Sequence, residues 1–417
     1  MAGKVLAAII AHPRRKISGA TNAGRELSRA AAKLTDLELA IMWDGDETFQ
    51  DGALTTHHLR STNVLGPLEK YVPNAVSVPL YGSHLPRLIK SGAYDLVHIH
   101  NIFPPRAAAA VAEACREADV PYVISTHGFY EQSRYAEMRG YSGLMAWVTK
   151  KLVDDPFRRI VDGAAGLFAL SDFDVRLLEA MGVPSDRIRI VTNGVNEFHL
   201  ESPTAEETEA ATGKFNVKAG VPLVLYMGSL HGYKGVDTFL ESLEGLPGEW
   251  QAVVAGRFKD PAEPEKLMNA AGLATGTRQR VTFTGGISDE DLRALYHRAD
   301  LFVYPTRGDT LPLVVLEAMA GRTAVVSTTV GGIGYEVTPE CGSLVEPGNA
   351  SAIRNAAAEL LADDGKRNAM ADAALDRVRK VFRWPLAAEE AVKGYQALRA
   401  SSRVAPAPDS DLVAQPA

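Results

Sequence analysis

Residues 301–320 read LFVYPTRGDTLPLVVLEAMA. The four apolar residues at 301–304 have the continuity of a strand buried on both faces. A polar loop follows, and a helix begins near Pro312, because proline suits the first turn, where its missing N–H costs nothing. A helix N-terminus offers unpaired backbone N–H groups and the positive end of its dipole, which suits a diphosphate. Asp309 stands before the helix and Glu317 on it. Carboxylates accept hydrogen bonds from hydroxyls, so this spacing would let one extended ligand be gripped at two separate diols. The same residues also describe a capped helix with a partly buried glutamate and no ligand.

Similar apolar runs recur on both sides of this segment. Residues 223–227, 251–255 and 281–284 precede it, and 324–327 and 343–345 follow, with helical patterns at 236–246, 289–298, 313–321 and 350–362. Continuous apolar strands alternating with helices predict a parallel sheet covered on both faces, a doubly wound α/β domain. An earlier series runs through residues 5–11, 37–43, 95–100, 122–126, 166–170 and 187–192, with helices at 20–34, 105–118 and 172–181. Residues 45–82 show no clear period and read as irregular loops. The alternation pauses over polar residues 196–220, so the chain divides into domains at 1–200 and 201–384. A last helix at 385–400 is expected to pack back on the first domain, and 401–417, rich in Ala, Pro and Asp, reads as a disordered tail. Two Rossmann-like domains facing each other create a deep cleft, where ligands commonly bind.

Composition agrees with this outline. The 417 residues suit two domains, and 46% hydrophobic with 23% charged residues is ordinary for a globular protein with a real core. A net charge of −7 gives no overall basic footprint for nucleic acid. Residues 1–200 carry 22 basic and 22 acidic side chains, so the whole deficit lies in the second half. The neutral first half is the better placed to approach an anionic surface. Cys115 and Cys341 lie in opposite halves and form no CxxC motif, which fits a reducing cytosol. The apolar run after Lys4 is short and ends at His12-Pro13, so it reads as a buried strand rather than a signal-peptide core. No apolar stretch approaches the roughly 20 residues needed to span a bilayer.

A second informative segment is Tyr226-Met227-Gly228-Ser229-Leu230-His231-Gly232-Tyr233-Lys234-Gly235-Val236-Asp237. A strand ends at a glycine-containing loop, and Lys234 sits at the start of the next helix, where its charge can reach a phosphate. Taken alone, it is also an ordinary solvated surface lysine. Together, the two segments resemble the family-4 retaining glycosyltransferases of the glycosyltransferase-B fold. That family carries two glutamates separated by seven residues in a loop-helix segment of this kind. The resemblance assigns the nucleotide ribose to Glu317 and places Asp309 near the donor sugar. Asp309 is one methylene shorter than the usual Glu, and Pro312 stands where many members have Gly. Since proline lacks an N–H, phosphate donors would be the Thr310, Leu311 and Leu313 amides. The family's Arg and Lys on the donor diphosphate correspond to Ser229 and Lys234. Ser229 is a departure, and Arg257 or Arg307 would supply the missing charge. Val330-Gly331-Gly332-Ile333-Gly334-Tyr335-Glu336 and the stretch from Gly342 to Asn349 match the family's order, the latter resembling a part that helps enclose the base.

In the first half, Ser18-Gly19-Ala20 precedes a helix, and similar loops in the family approach the donor phosphate, which makes Gly19 a donor-side candidate. His127, in Ser125-Thr126-His127-Gly128-Phe129, resembles the family's His-Gly element near donor sugar and acceptor. It is the catalytic candidate of this half, with Asp309 and Lys234 in the other; a hydrogen-bonded structural histidine is the plain alternative. Asn193-Gly194 reads as a structural turn into the linker. His98 and His100 share one face of a strand but lack a third metal ligand, and packing explains them. Asp44-Gly45-Asp46 has the form of a metal-diphosphate triplet from a different fold but lies outside the donor motifs. Residues 141–159 collect Trp147, Lys150, Lys151, Phe157, Arg158 and Arg159, which reads as core packing with a solvated basic face or as a helix lying on an anionic membrane.

The resemblance implies transfer of a hexosyl unit, with retention, from a nucleotide diphosphate sugar to a glycan, lipid-linked or small-molecule acceptor. It implies no metal or other cofactor, and a cytoplasmic location with possible contact at the membrane's inner face. A non-catalytic nucleotide-sugar-binding relative and a sugar-nucleotide epimerase are the alternatives. Dinucleotide oxidoreduction finds no support, because no first strand leads into Gly-x-Gly-x-x-Gly.

Overall fold

The computed structural model describes residues 3–12, 18–127, 129, 140–230, 232–258 and 260–402. The expected tail from 403 onward and Gly128 lie outside the described residues. Two sheets carry the chain. The first has nine strands: β1 (Val5–Ile9), β2 (Leu37–Trp43), β3 (Glu47–Asp51), β4 (Leu54–Asn63), β5 (Tyr81–Ser83), β6 (Leu96–His100), β7 (Tyr122–Ser125), β8 (Gly166–Ala169) and β9 (Ile188–Ile190). Their order is β3-β4-β2-β1-β6-β7-β8-β9, with β5 paired to β4. All pairs from β4 through β9 along this path are parallel, while β3 and β5 join β4 antiparallel. β1 is buried at every position, which is why it reads as an unbroken apolar run, and β6 is equally buried although His98 and His100 interrupt its apolar residues.

The stretch read as irregular loops contains β3, β4 and β5. Its hairpin turns on Gly52 at φ +62°, between the paired residues Asp51 and Leu54. Along β4 the inward positions are Leu54, Thr56 and His58. Two of these three are polar, so the alternation carries no hydrophobic signal.

The second sheet has six parallel strands: β10 (Leu223–Met227), β11 (Gln251–Ala255), β12 (Val281–Gly285), β13 (Leu301–Tyr304), β14 (Ala324–Thr328) and β15 (Gly342–Val345). The order is β12-β11-β10-β13-β14-β15. It reverses at β10/β13, and in such sheets ligands bind at the carboxyl ends of strands beside the reversal.

The chain then crosses back. The Trp384–Ser402 helix places Trp384, Ala387, Ala388, Ala391 and Tyr395 in one buried cluster with Val5, Ala7 and Ile9 of β1. Fully burying a large apolar side chain is worth about 1.5–3 kcal/mol, so this helix is a substantial part of the first core. The two crossings are laced together. Val195 N–H donates to Phe382 O at 2.9 Å, and Arg383 pairs with Glu197 at 2.6 Å. Gly194 is needed here, because a Cβ would lie 2.3 Å from the Trp384 nitrogen. Among the described residues no helix is long and apolar enough to cross a membrane.

Candidate active site

Because β10 and β13 are neighbours, the loops leaving their carboxyl ends meet. Gly235 makes the meeting close: its φ is +77°, and a Cβ would lie 1.9 Å from Pro305 O. Arg307 N–H donates to Tyr233 O at 3.0 Å, and Thr306 Oγ1 donates to the same oxygen at 3.3 Å. Across this contact Lys234 Nζ reaches Asp309 Oδ2 at 2.6 Å, and Tyr304 Oη donates to that oxygen at 2.8 Å. The lysine and aspartate side chains are 22% and 16% exposed, so the pair is partly desolvated but accessible. Burial and the Asp309 charge hold the Tyr304 hydroxyl well above its ordinary range, keeping it a neutral donor.

The loop after Asp309 is wedged from both domains. Thr310 O accepts from Gly332 N–H at 2.7 Å, and Leu311 O accepts from Asn193 Nδ2 at 2.9 Å. Gly331, at φ +59°, would place a Cβ 1.8 Å from Asp309 O. At Gly332 a Cβ would lie 2.3 Å from Thr310 O and 2.8 Å from Ser171 Oγ of the first domain. The Leu313–Ala320 helix then starts, with Pro312 at its N-cap and Val315 N–H donating to Pro312 O at 3.1 Å. The Leu313 and Val314 amides therefore precede the first helical bond. Leu313 itself packs against the first domain's core.

Glu317 lies one turn along this helix. Its Oε2 accepts from Tyr296 Oη at 3.1 Å, and its Oε1 is 3.9 Å from His199 Nε2. Burial pushes the Glu317 carboxyl up to about 7 and the His199 imidazole down to about 4, so His199 stays neutral near neutral pH. Among the described residues Glu317 shares no hydrogen bond or ion pair with Lys234 or Asp309. The structure thus joins Lys234 and Asp309 directly, ties Thr310, Leu311 and Leu313 to the same loop, and turns Glu317 toward Tyr296 and the linker.

The remaining donor-side candidates line the same rim. Met227 at the end of β10 pairs with Ala255 at the end of β11, and Gly256 approaches so closely that a Cβ would lie 2.1 Å from Gly228 O. Ser229 and Arg257 therefore follow adjacent strand ends, and both are exposed. Arg257 makes no hydrogen bond or ion pair among the described residues. Arg307, named with it as a source of the missing charge, is already committed. It donates to both Asp237 oxygens at 2.9 and 2.8 Å, to Thr238 Oγ1 at 2.8 Å and to Gly232 O. It braces the Lys234 loop instead.

In the first domain Gly19 is exposed at the start of the Gly19–Ala31 helix, which Ser18 caps by accepting from Thr21 N–H at 3.2 Å. No atom lies within 4 Å of where a Gly19 Cβ would be, so packing does not require glycine there. His127 follows β7 and is 4% exposed, with Nε2 buried and unpartnered. Its ring lies 6.0 Å from that of His100, and burial holds its pKa down at about 4. Both nitrogens of His98 are engaged, by Tyr395 Oη at 2.7 Å and Ser125 Oγ at 2.8 Å. Asp46 accepts from the Arg60 amide at 2.7 Å and faces His84 at 3.2 Å. Among the described residues no group of three or more His, Cys, Asp or Glu could hold a metal ion.

Two buried carboxyls were not candidates from sequence. Glu336, in the glycine segment, is fully buried with both oxygens unpartnered, and burial reinforced by the Asp309 charge pushes its carboxyl well above the usual range. Asp174 lies beside Ser171, accepts from Leu170 N–H at 3.1 Å, and is pushed up to about 7 by burial. Neither stands out in a sequence where acids are common.

Comparison with known proteins accounts for both domains. A family model described as Glycosyltransferase Family 4 matches residues 17–197, and one described as Glycosyl transferases group 1 matches residues 190–377. The chain is 29% identical over 309 residues to a D-inositol 3-phosphate glycosyltransferase of Xylanimonas cellulosilytica, covering 71% of this chain and 70% of the relative. It is 26% identical over 330 residues to a phosphatidyl-myo-inositol mannosyltransferase of Mycobacterium leprae, covering 78% and 79%. In fold it is similar to sucrose-phosphate synthase from Thermosynechococcus elongatus, with a TM-score of 0.75 at 22% identity over 95% of this chain and 100% of that one. The Anabaena protein HepE in complex with UDP-glucose gives 0.70 at 17% identity over 94% and 99%. The two models overlap at residues 190–197 and together span 17–377, across two facing parallel-sheet domains of the glycosyltransferase-B fold, and the chain belongs to the family-4, group 1 glycosyltransferases.

Proposed function

We propose that the chain transfers a hexosyl unit, with retention of anomeric configuration, from a nucleotide diphosphate sugar to a hydroxyl of a glycan, lipid-linked or small-molecule acceptor. The observation that carries this reading is the Lys234–Asp309 pair at the carboxyl ends of β10 and β13, beside the start of the Leu313–Ala320 helix. In this reading the diphosphate rests on the Leu313 amide and the loop amides of Thr310 and Leu311, and takes the Lys234 charge from Asp309. Asp309, released, faces the donor sugar. Glu317 exchanges its Tyr296 bond for the ribose hydroxyls, Arg257 and the Ser229 loop flank the diphosphate, and Gly19 and His127 approach from the first domain. The bond from the anomeric carbon to the phosphate oxygen breaks, and the acceptor oxygen bonds to that carbon on the same face. The acceptor proton passes to the departing phosphate. Lys234 and the positive helix end stabilise the charge developing there, so no metal is required.

Names of relatives support the range of acceptors. They include the phosphatidyl-myo-inositol mannosyltransferase, and a lipopolysaccharide core mannosyltransferase of Rhizobium leguminosarum 34% identical over 223 residues, half of this chain and 61% of that one. A thermal-shift panel of uridine, guanosine and adenosine diphosphate sugars tests the donor site. One class is expected to raise the melting temperature, and Glu317→Ala to abolish the rise. Release of nucleoside diphosphate in EDTA, with product anomer read by NMR, tests the reaction. Binding without release would favour a non-catalytic relative, and conversion of donor without acceptor an epimerase.

A further inference from the structure

Behind the His127 loop the first domain buries a carboxyl that no step of the transfer uses. Asp174 stands in the first turn of the Asp172–Ala180 helix, fully buried, with its Oδ1 unpartnered. Its Oδ2 accepts from Leu170 N–H at 3.1 Å and from Ser171 Oγ at 3.4 Å. The Thr126 hydroxyl also donates to this carboxyl. Leu170 N–H is shared with Thr126 Oγ1 at 3.2 Å, so the residues that follow β7 and β8 are tied together at one point. His127 is the next residue along from Thr126. Ser171, on the other side of the carboxyl, faces the second domain. A Cβ on Gly332 would lie 2.8 Å from Ser171 Oγ, and Gly332 N–H donates to Thr310 O at 2.7 Å. One carboxyl therefore has a partner beside His127 and another against the loop that follows Asp309.

Part of this arrangement is ordinary capping. Ser171 is the helix N-cap and accepts from Asp174 N–H at 3.4 Å, and an acid three residues beyond such a cap commonly reaches back to it. A cap of that kind works equally well at the surface. It accounts neither for full burial, which disfavours a carboxyl unless hydrogen bonds offset the lost water, nor for the bond from Thr126 on another loop. Thr126, Ser171 and Asp174 are all fully buried, and a buried polar cluster of this kind selects one arrangement of the segments it joins. The His127 ring makes no hydrogen bond among the described residues, so its place depends on the backbone beside it. We propose that Asp174 and Thr126 are positioning residues that hold His127 in register with the loop after Asp309, the carboxyl fastening Thr126 beside the imidazole and Ser171 against Gly332. This role presupposes the transfer reading, in which His127 approaches the donor from the first domain.

Thr126→Val in the full chain removes the hydroxyl, keeps the shape and leaves the Ser171–Asp174 cap intact. With the donor class that the thermal panel selects, kcat should fall about tenfold, because small displacements beside a reacting centre are costly. The donor-induced thermal shift should be unchanged, since the diphosphate and ribose contacts lie in the second domain. Thr126→Ser keeps the hydroxyl and should stay within about threefold of the parent. In a His127→Ala background Thr126→Val should cost no further kcat, because it acts through the imidazole. Asp174→Ala should lower kcat as far as Thr126→Val, and Asp174→Asn, which still accepts from Leu170 N–H, should recover most of the loss. If the alanine variant does not fold, the Thr126 pair decides. Carbethoxylation of His127 by diethyl pyrocarbonate, read by peptide mass spectrometry, needs no turnover. It should be about fivefold faster in Thr126→Val, where the loop opens more readily, and unaltered in Thr126→Ser. Additive kcat losses for Thr126→Val and His127→Ala would overturn the positioning role, as would His127 reactivity indifferent to Thr126→Val. Were the parent to release no nucleoside diphosphate from any donor, the transfer reading would fall, and the reactivity of His127 alone would decide whether Thr126 and Asp174 hold it.

Discussion

Replacing Lys234 with methionine is the most direct probe of the cleft. The change keeps the length of the side chain and removes the ammonium 2.6 Å from Asp309. In the free protein Asp309 keeps its bond from Tyr304 and enough exposure to be rehydrated. The fold should therefore lose about 1 kcal/mol, a fall of about 2–4 °C in melting temperature. Turnover is a different matter. A hydrogen bond to a charged group is worth about 1.5–3 kcal/mol, or about 10- to 150-fold. Since Lys234 must leave one anion to take another, the middle of that range, about 30-fold in kcat/KM, is expected. The assay is nucleoside diphosphate release with the donor class that the thermal panel selects, alongside donor Kd by calorimetry. Asp309→Asn completes the cycle: it frees Lys234, so donor affinity should rise while kcat falls. A Lys234→Met enzyme within threefold of the parent in kcat/KM would refute the assignment of the diphosphate to this pair.

Other outcomes are equally concrete. Glu317 is raised from its ordinary range to about 7, so its neutral form is favoured in the fold, and its contribution to stability is lost as pH rises from about 4.5 through 7. Melting curves from pH 5 to 8 should show Glu317→Gln falling less with pH than the parent. His127 and His199 are lowered to about 4 and act in the opposite sense, contributing stability above 6.5 that is lost as pH falls through 4; the paired comparison removes them. Gly331→Ala should lower the melting temperature, because strain of about 1–2 kcal/mol adds to a collision with Asp309 O. Gly19→Ala should leave it unchanged while lowering turnover, and unchanged turnover would remove Gly19 from the donor site. Arg257→Ala should weaken donor binding with no thermal cost, and unaltered affinity would exclude it.

The architecture was legible because strands covered on both faces leave unbroken apolar runs, as in β1 and β13. The hairpin of β3 and β4 was not, because Thr56 and His58 occupy inward positions where apolar residues would have signalled a strand. At the site, the helix start and its two acids could be read from local pattern alone. The meeting of Lys234 with Asp309 depends on which strands are neighbours, and a separation of 75 residues carries no such information. Arg307 shows the same limit, since its partners Asp237 and Thr238 belong to the first turn of the Val236–Leu243 helix, some 70 residues earlier. Tyr296 and His199 touch Glu317 from separate elements, and nothing in their own surroundings along the chain announces it.

The closing helix has a consequence for how the protein is made. Tyr395 covers β1 and completes the hydrogen bonding of His98, yet it is synthesised almost 300 residues later. Domains generally fold in order as they leave the ribosome. Here the first domain waits, one apolar flank unroofed, until the second has emerged. Ribosome-stalled chains ending before residue 384 should therefore expose that flank to chaperones and proteases, and chains long enough to release the last helix should not.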